Sequence, residues 1–549
     1  MWLISLALSS AQAAPYFVQD PAALPGPQPC AAGVDPSAEG CSTNQVQLAD
    51  LDGNGDLDIV YANGGSQDDP GDAQPLAIYY NTAGTFSYAA DDAVEGFTGR
   101  VRQVAIGDID GDDDLDLVVP DGYGLQPDAV FVNDGGFFSE DGAARLGTTS
   151  HAGAARLADV DDDGDLDLFV SDLGDTPPDS PGVGHLYINA GTGFFTERVG
   201  SIPADLSSTG TGPVDADFFD ADTDNDLDLL IANAAGDSIL LVNDGTGIFT
   251  DAGAQLPAQG GPSVHGPDVC DVDGDDDLDL WLDGGSRDGL EQLLINDGNG
   301  TYSDQTNARV DGNPTADDNQ VLCADVDQDG DMDAVIASLS DAERVLQNDG
   351  SGAFTLVDGA FTDDGGGTIH DSTLGIALGD LDGDGVLDAV TGQGGSGPLL
   401  NKVYMGAGEP DTVAPTIRHF DSFVNRPDPG SALFHFSVQD GATSGVGPQL
   451  QQAYAEFDGN VVDATWMGGD LYRVELDLTD GPHTLRACVI DAAGNTTCTF
   501  EADFSIGSGK DGCGCASSGN APPAGLALLA LSALGVTRRR ADKPHRSRP

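Results

Sequence analysis

The sequence predicts an all-β protein: a seven-bladed β-propeller, then a small β-sandwich, then a short C-terminal hydrophobic helix. Three observations carry that expectation. A nine-residue acidic window recurs seven times, short β-branched and apolar runs flank every copy, and after the last copy strands of alternating polarity take over. The windows open at Asp50, Asp108, Asp159, Asp220, Asp271, Asp325 and Asp380, so successive starts lie 58, 51, 61, 51, 54 and 55 residues apart. That spacing suits one four-stranded blade and is too long for a leucine-rich repeat.

Each repeat has the same internal order. A short strand such as Gln45-Val46-Gln47-Leu48 enters the acidic window, and an apolar run such as Leu115–Val119 leaves it. A third strand ends in Asn, as at Leu293-Leu294-Ile295-Asn296. Asn243-Asp244-Gly245 and its relatives follow, a hairpin signal because these residues tolerate positive φ. An aromatic then opens a fourth strand: Phe86, Phe137, Phe195, Phe249, Tyr302 or Phe354. The runs are too short and too β-branched for helices and lack a 3.6-residue period.

The seventh repeat has no such aromatic after Val403-Tyr404-Met405-Gly406. The missing strand is found near the N-terminus. Phe17 is followed seven residues later by Leu24-Pro25, as Phe249 is by Leu256-Pro257. Residues 15–20 are therefore expected to complete the last blade and remove its exposed edge. Ahead of them, residues 1–14 read as a secretory signal, with Met1–Leu8 leading to the small-residue pattern Ala11-Gln12-Ala13. Export places the cysteines in an oxidising compartment, where Cys30–Cys41 and Cys488–Cys498 are candidate local disulfides. Cys270 and Cys323 occupy nearly equivalent places in adjacent repeats, and their pairing is left open.

Charge is the other anomaly. Among 549 residues, 93 are acidic and 20 basic, a formal net charge of −73. Thirty-six of the acids fall inside the seven windows, which points to bound cations rather than to disorder. Nucleic acid is excluded as a partner, since phosphate binding needs clustered Lys and Arg.

The candidate ligands are Asp50, Asp52, Asn54, Asp56 and Asp58 in the first window, and Asp108, Asp110, Asp112, Asp114 and Asp116 in the second. The third and fourth supply Asp159, Asp161, Asp163, Asp165 and Asp167, then Asp220, Asp222, Asp224, Asp226 and Asp228. The fifth and sixth supply Asp271, Asp273, Asp275, Asp277 and Asp279, then Asp325, Asp327, Asp329, Asp331 and Asp333. The seventh supplies Asp380, Asp382, Asp384, Val386 and Asp388. Positions 1, 3, 5 and 9 would ligate through side chains and position 7 through its carbonyl, which is why Val386 is acceptable there. So many hard oxygens suit Ca²⁺, at about seven sites, while Mg²⁺ demands stricter octahedral geometry. Position 6 is Gly55, Asp113, Gly164, Asn225, Asp276, Gly330 or Gly385, the types that enter the left-handed region most cheaply. A helix–loop–helix calcium site is excluded, because no window has Glu at position 12 and the flanks are strands. Acidic turns on a salt-adapted surface would not repeat one ligand pattern seven times.

These windows and their strands resemble the FG-GAP/VCBS repeats of the integrin α-subunit propeller and its bacterial relatives. The resemblance implies a propeller over residues 15–410, with the acidic loop joining the first two strands of each blade. It also implies adhesion or recognition, although fold does not fix function.

Residues 413–507 carry alternating strands, among them Ser431–Phe436, Leu471–Leu476 and His483–Cys488, and about seven strands in this length suggest a sandwich. Asp440–Val446 and the turn Asp491–Asn495 resemble bacterial immunoglobulin-like spacer domains, which implies a stalk. Residues 508–549 hold Cys513 and Cys515, a polar linker, an apolar run from Ala524 to Val536, and Arg538-Arg539-Arg540. That run is short for a stable membrane span. The order of cysteine, apolar helix and arginines resembles the myxobacterial C-terminal sorting tail. It implies processing by a membrane enzyme near Cys513 or Cys515 and display at the outer surface of the bacterial cell.

No nucleophile elbow, zinc-helix motif or phosphate loop is present, so a catalytic set is not expected. His151, His265 and His370 precede Asp windows in equivalent connections but come from non-adjacent repeats. Trp281 is expected to pack between blades. The leading expectation is a surface protein that recognises a glycan or a protein, with calcium structural. A propeller-type polysaccharide lyase or dehydratase and a passive coat component are the alternatives.

Overall fold

Short β-branched runs separated by Asx-Gly turns leave the chain little choice but antiparallel hairpins. The computed structural model describes residues 15–506 apart from 26–39, 65–72, 89–93, 95, 123, 125, 149, 174–183, 204–211, 235, 260–263, 285–289, 371, 396–398, 421–428 and 443–448. Over these residues the protein is all-β, built from many small sheets, with two one-turn helices at Gly142–Arg145 and Thr306–Arg309. This is consistent with a β-propeller.

The first repeat sheet is made of Thr43–Ala49, Asp58–Asn63, Ala77–Thr82 and Thr85–Tyr88, paired antiparallel in chain order. The same order recurs in sheets whose first strands are Ala105–Gly107, Ala155–Ala158, Pro213–Phe219, Asp268–Cys270, Asp318–Ala324 and Thr373–Gly379. In the last of these the fourth position is filled by Phe17–Gln19, antiparallel to Lys402–Gly406, with Phe17 opposite Gly406. Phe361–Thr362 then runs parallel to it along the outer edge, and Phe17 stacks on Phe361 at 4.5 Å.

Each pair of neighbouring sheets shares one apolar cluster. Val60 and Phe131 join the first to the second, Leu157 and Val118 the second to the third, and Phe169 and Phe218 the third to the fourth. Leu230 with Leu280, Trp281 with Phe354, and Val335 with Ile376 continue the series. Tyr61 with Val390 then returns from the seventh sheet to the first. The circuit closes, so no repeat sheet is left with a bare apolar face. Trp281 is fully buried and packs edge-on to Phe354 at 4.9 Å, across two sheets.

One expected aromatic is misplaced. Phe137 is 75% exposed, and its neighbour Phe138 is the buried one. The buried aromatics lie five or six residues beyond the Asn that ends the third strand; Phe137 lies four beyond it and falls on the solvent side of the alternation.

The described residues of 416–506 form two facing sheets with nine strands, where about seven were expected. One pairs Thr416–Arg418, Gly430–Gln439, Leu471–Leu478 and Thr465–Gly468; the other is centred on Leu450–Phe457 and Gly481–Asp491. Alternate residues such as Phe434, Phe436, Val474, Leu485 and Val489 point inward and make a separate core. Cys488 and Cys498 are bonded across paired strands, and Cys270 and Cys323 are bonded between adjacent repeat sheets. The expected Cys30–Cys41 bridge involves Cys30, and the signal, Cys513 and Cys515 belong to the termini; all of these lie outside the described residues. Among the described residues no helix is long and apolar enough to cross a membrane.

The sandwich does not stand off as a stalk. It sits on the Asp-loop end of the repeat sheets. Gly441 O accepts from the Asp325 amide at 2.7 Å, and Met467 O accepts from the Asp159 amide at 2.6 Å. Gln439 accepts from the Asp271 amide at 2.9 Å, and Gln449 donates to Leu378 O at 2.7 Å.

Candidate metal centres

Every acidic window occupies the connection between the first and second strands of its sheet, and its ninth residue is the first residue of the second strand. Backbone geometry makes the loop. Position 6 has positive φ in all seven windows, from 68° at Asn225 to 100° at Gly164. Position 4 does too, which residue type alone did not reveal: Asp162, Thr223 and Gln328 stand there at φ 59°, 64° and 59° beside four glycines. Two left-handed residues in nine curl the backbone so that alternate side chains converge.

The position-1 carboxylate holds that curl. Asp50 accepts the amides of Asn54 and Gly55 at 3.1 and 2.8 Å, and Asp325 those of Asp329 and Gly330 at 3.1 and 2.9 Å. Position 9 is buried in every window. It accepts the amide of position 2, as from Leu51 to Asp58 at 3.0 Å and from Leu381 to Asp388 at 2.9 Å. It also accepts the amide of the residue ending the third strand, at 2.7 Å from Asn81 and 2.8 Å from Asn133, Asn189, Asn243 and Asn296.

Carboxylate oxygens of positions 1, 3 and 9 gather within 4.8 Å of one another: Asp50, Asp52 and Asp58; Asp108, Asp110 and Asp116; Asp159, Asp161 and Asp167; Asp220, Asp222 and Asp228; Asp271, Asp273 and Asp279. Such groups could hold a metal ion. Position 5 lies beside them and caps its own turn, Asn54 accepting from the Asp56 amide at 2.7 Å. Position-7 carboxylates turn away. Asp56 accepts from Ala83 and Asp114 from Gly135, at 2.8 and 2.9 Å, both in hairpin turns.

Electrostatics favour a cation there. Burial pushes the position-9 carboxyls up to about 7 at Asp58, Asp116 and Asp388, about 8 at Asp167, Asp279 and Asp333, and about 9 at Asp228. The accepted amide hydrogens work against that rise, and the neighbouring carboxylates add to it. A proton or a cation must therefore offset the crowding at neutral pH, and a hard divalent ion fits an all-oxygen set. Three position-3 carboxylates have an arginine on one oxygen: Arg145 on Asp110 at 3.0 Å, Arg198 on Asp161 at 3.2 Å and Arg309 on Asp273 at 2.8 Å.

The third window differs from its siblings. Arg473 of the sandwich donates to Asp162 O at 2.8 Å and lies 3.5 Å from the Asp159 carboxylate, while His435 lies 3.1 Å from Asp162. A Cβ on Gly164 would meet the Arg473 guanidinium at 2.2 Å.

The Asn that ends the third strand in six of the seven repeat sheets has a role the sequence reading missed. Its side-chain amide donates to the position-2 carbonyl of the preceding window: Asn133 to Leu51, Asn189 to Ile109, Asn243 to Val160, Asn296 to Ala221 and Asn348 to Val272, at 2.7 to 3.0 Å. Asn81 donates to Leu381 at 2.8 Å and so links the first sheet to the seventh window; the third strand of the seventh sheet ends in Gly406, which has no side-chain amide for the sixth window. The same amide also reaches the position-8 carbonyl of its own window, as from Asn189 to Leu166 at 3.2 Å. One buried side chain thus ties two loops together. The signal was available, since Asn recurs at that place in six repeats, but it read only as a turn residue.

Two of the connection histidines, His265 and His370, have different surroundings and partners. His370 is exposed and pairs with Asp341 at 3.0 Å, whereas His265 is deep beside Asp283, where burial lowers it to about 4.

Residues 50–119, 220–282 and 325–391 match the FG-GAP-like repeat family. These stretches contain six of the seven windows, and Asp159–Asp167 lies between them. No curated protein matches the chain. Among solved structures, the crystal structure of Saccharomyces cerevisiae Sqt1 aligns at 10% identity over 81% of this chain and 98% of that one, with a TM-score of 0.37.

Proposed function

We propose that this chain is a calcium-dependent recognition protein, exported and held at a bacterial outer surface. On this reading the repeat sheets are the seven blades of an FG-GAP/VCBS-type propeller and the terminal sandwich is immunoglobulin-like. The ion in each loop is Ca²⁺, taking side-chain oxygens from positions 1, 3, 5 and 9 and a carbonyl from position 7. The observation that carries it is the convergence of positions 1, 3 and 9 in window after window, on loops whose backbone is curled the same way. Calcium is structural here, joining the first and second strands of each blade. The ligand is a surface glycan or protein. Because the sandwich occupies the Asp-loop end, recognition falls to the opposite rim and the outer edges of the blades. Residues 508–549 serve as the address, processed by a membrane enzyme near Cys513 or Cys515.

The test is retention of the calcium-loaded protein on intact cells and on extracted surface polysaccharide, with and without chelator. Saturable binding that disappears with calcium supports the reading. Absence of binding in both conditions, together with turnover of acidic or neutral polysaccharide, would replace it with the enzyme alternative.

A further inference from the structure

The sandwich meets several acidic loops but, among the described residues, brings an arginine to only one. Its contacts with position 1 of the fifth and sixth windows are neutral: Gln439 accepts the Asp271 amide, and Gly441 O accepts the Asp325 amide. At the third window it presents Arg473 instead. That residue lies on Leu471–Leu478, directly opposite His435 on Gly430–Gln439, so both side chains project from one face of the sheet.

Three features seat the guanidinium there. Asp162 is the one carboxylate found at position 4 in the seven windows. It accepts from Arg473 Nη1 at 2.8 Å on its carbonyl and at 3.3 Å on its side chain, with His435 3.1 Å away. Gly164 leaves open the space a side chain would fill, since a Cβ there would lie 2.2 Å from Arg473 Nη2. Nη1 also stands 3.5 Å from Asp159, the position-1 ligand, whose side chain is only 2% exposed. Arg198 already holds Asp161, at position 3, at 3.2 Å. The second and fifth windows carry one arginine each, on position 3 alone. Among the described residues, only the third has guanidinium groups on two of the carboxylates that would meet an ion.

We infer that the third window is a low-affinity, regulatory calcium site, held closed by Arg473 of the docked sandwich, while the other six bind tightly. The inference rests on the calcium reading given above. The affinity of an all-oxygen site follows the charge its ligands bring. A positive charge fixed a few ångströms from a divalent ion, and largely shielded from water, weakens binding by at least about tenfold. Coupling is reciprocal, so an ion that enters this loop loosens the sandwich by the same factor. A cleft lined by Asp162, Asp163, Ser431, Arg473 and Glu475 gives the displaced guanidinium room, and Glu475, two residues along the strand on the same face, would receive it. Low calcium thus clamps the sandwich to the third loop, and calcium high enough to fill the seventh site releases it.

The test is equilibrium dialysis of the full chain against radioactive calcium over a range of free concentrations. The parent should show six tight sites and one at least about tenfold weaker. Arg473→Met and, separately, Gly164→Asn should each show seven tight sites. Asn at position 6 pushes the guanidinium aside without touching a ligand, and it serves should Arg473→Met fail to fold. Adding Asp161→Asn to either variant should return the count to six, which assigns the recovered site to this loop. In the parent, proteolysis between residues 407 and 416 should quicken at the calcium concentration that fills the weak site; a flat rate there would overturn the coupling. Seven equal sites in the parent would overturn the inference and leave the calcium reading standing. Six tight sites in parent and variants alike would overturn it as well. No tight calcium in any of them would remove both.

Discussion

The repeat sheets and the terminal sandwich bury flat β-sheets by different means. In the sandwich, two sheets face each other and alternation does the work: Phe434, Phe436, Val474 and Leu485 point into one shared core. In the repeats, each sheet is apolar on both faces and meets two neighbours, so seven thin clusters replace one thick one. Thin clusters leave the sheet ends to polar chemistry. There the position-9 Asp and the following Asn make a buried hydrogen-bonded joint, repeated in six of the seven sheets. The comparison teaches that the repeats depend on charge and hydrogen bonding at their loop ends, and the sandwich does not.

The strongest way to break that contrast is to remove the cations. Chelation should lower the unfolding midpoint of the repeat region by more than about 10 °C, since several linked sites contribute together. Amide exchange over Asp58–Asn63 should quicken far more than over Gly430–Gln439. Equal quickening in both regions, or none, would defeat the calcium assignment.

The disulfides give the next largest contrast. Cys270–Cys323 spans 53 residues and Cys488–Cys498 only 10. On chain entropy, replacing the first pair by Ala should cost about 4 kcal/mol and the second about 3 kcal/mol. Urea unfolding of the two double variants would read the order, and a reversed order would mean that local packing outweighs loop closure.

Asn189→Ala should cost about 2–4 kcal/mol, because it orphans the Ile109 and Leu166 carbonyls in a dry joint. The same change at Asn460, an exposed residue of the sandwich whose amide reaches Phe457 O at 3.3 Å, should cost less than about 1 kcal/mol. Similar losses at the two positions would remove the claim that the joints hold the circuit.

Smaller still, Arg473→Ala should cost about 1–2 kcal/mol and loosen the sandwich from the third window, read as faster proteolysis between residues 407 and 416. An unchanged cleavage rate would show that the main-chain contacts of Met467 and Gly441 suffice.

The smallest effect is a titration. His185, hydrogen-bonded toward Asp172 and Glu197, is raised from 6.5 to about 9 despite its partial burial. Its contribution is fully present below pH 6.5 and is lost as the pH rises through about 9. Proton NMR of that ring should show a midpoint well above an ordinary histidine's, and a value near 6.5 would mean that the two acids do not hold it.

How much was legible follows from repetition. Position 6 could be read because seven samples share one conformational demand, and all seven do enter the left-handed region. Position 4 demands the same but is filled by Asp162, Thr223 and Gln328 as well as Gly, so residue type hid it. Phe17 was legible as the missing strand because its spacing to Leu24-Pro25 copies other repeats. Phe137 was misassigned because turns of unequal length shift the buried aromatic by one. The sandwich offered no such averaging: its alternation revealed strands but neither their number nor where they dock.

By itself, then, the sequence determined the all-β class, the repeat, the acidic loops and the strand that completes the last repeat sheet. Those are local matters, set by period, turn chemistry and the residue types a curled loop accepts. Only the tertiary structure decided which carboxylate oxygens meet, that Cys270 bonds Cys323, that Asn81 reaches Leu381 of the seventh window, and that the sandwich covers a chamber lined by seven strands. These depend on partners tens to hundreds of residues apart, and no local pattern specifies which distant carbonyl a buried amide will reach.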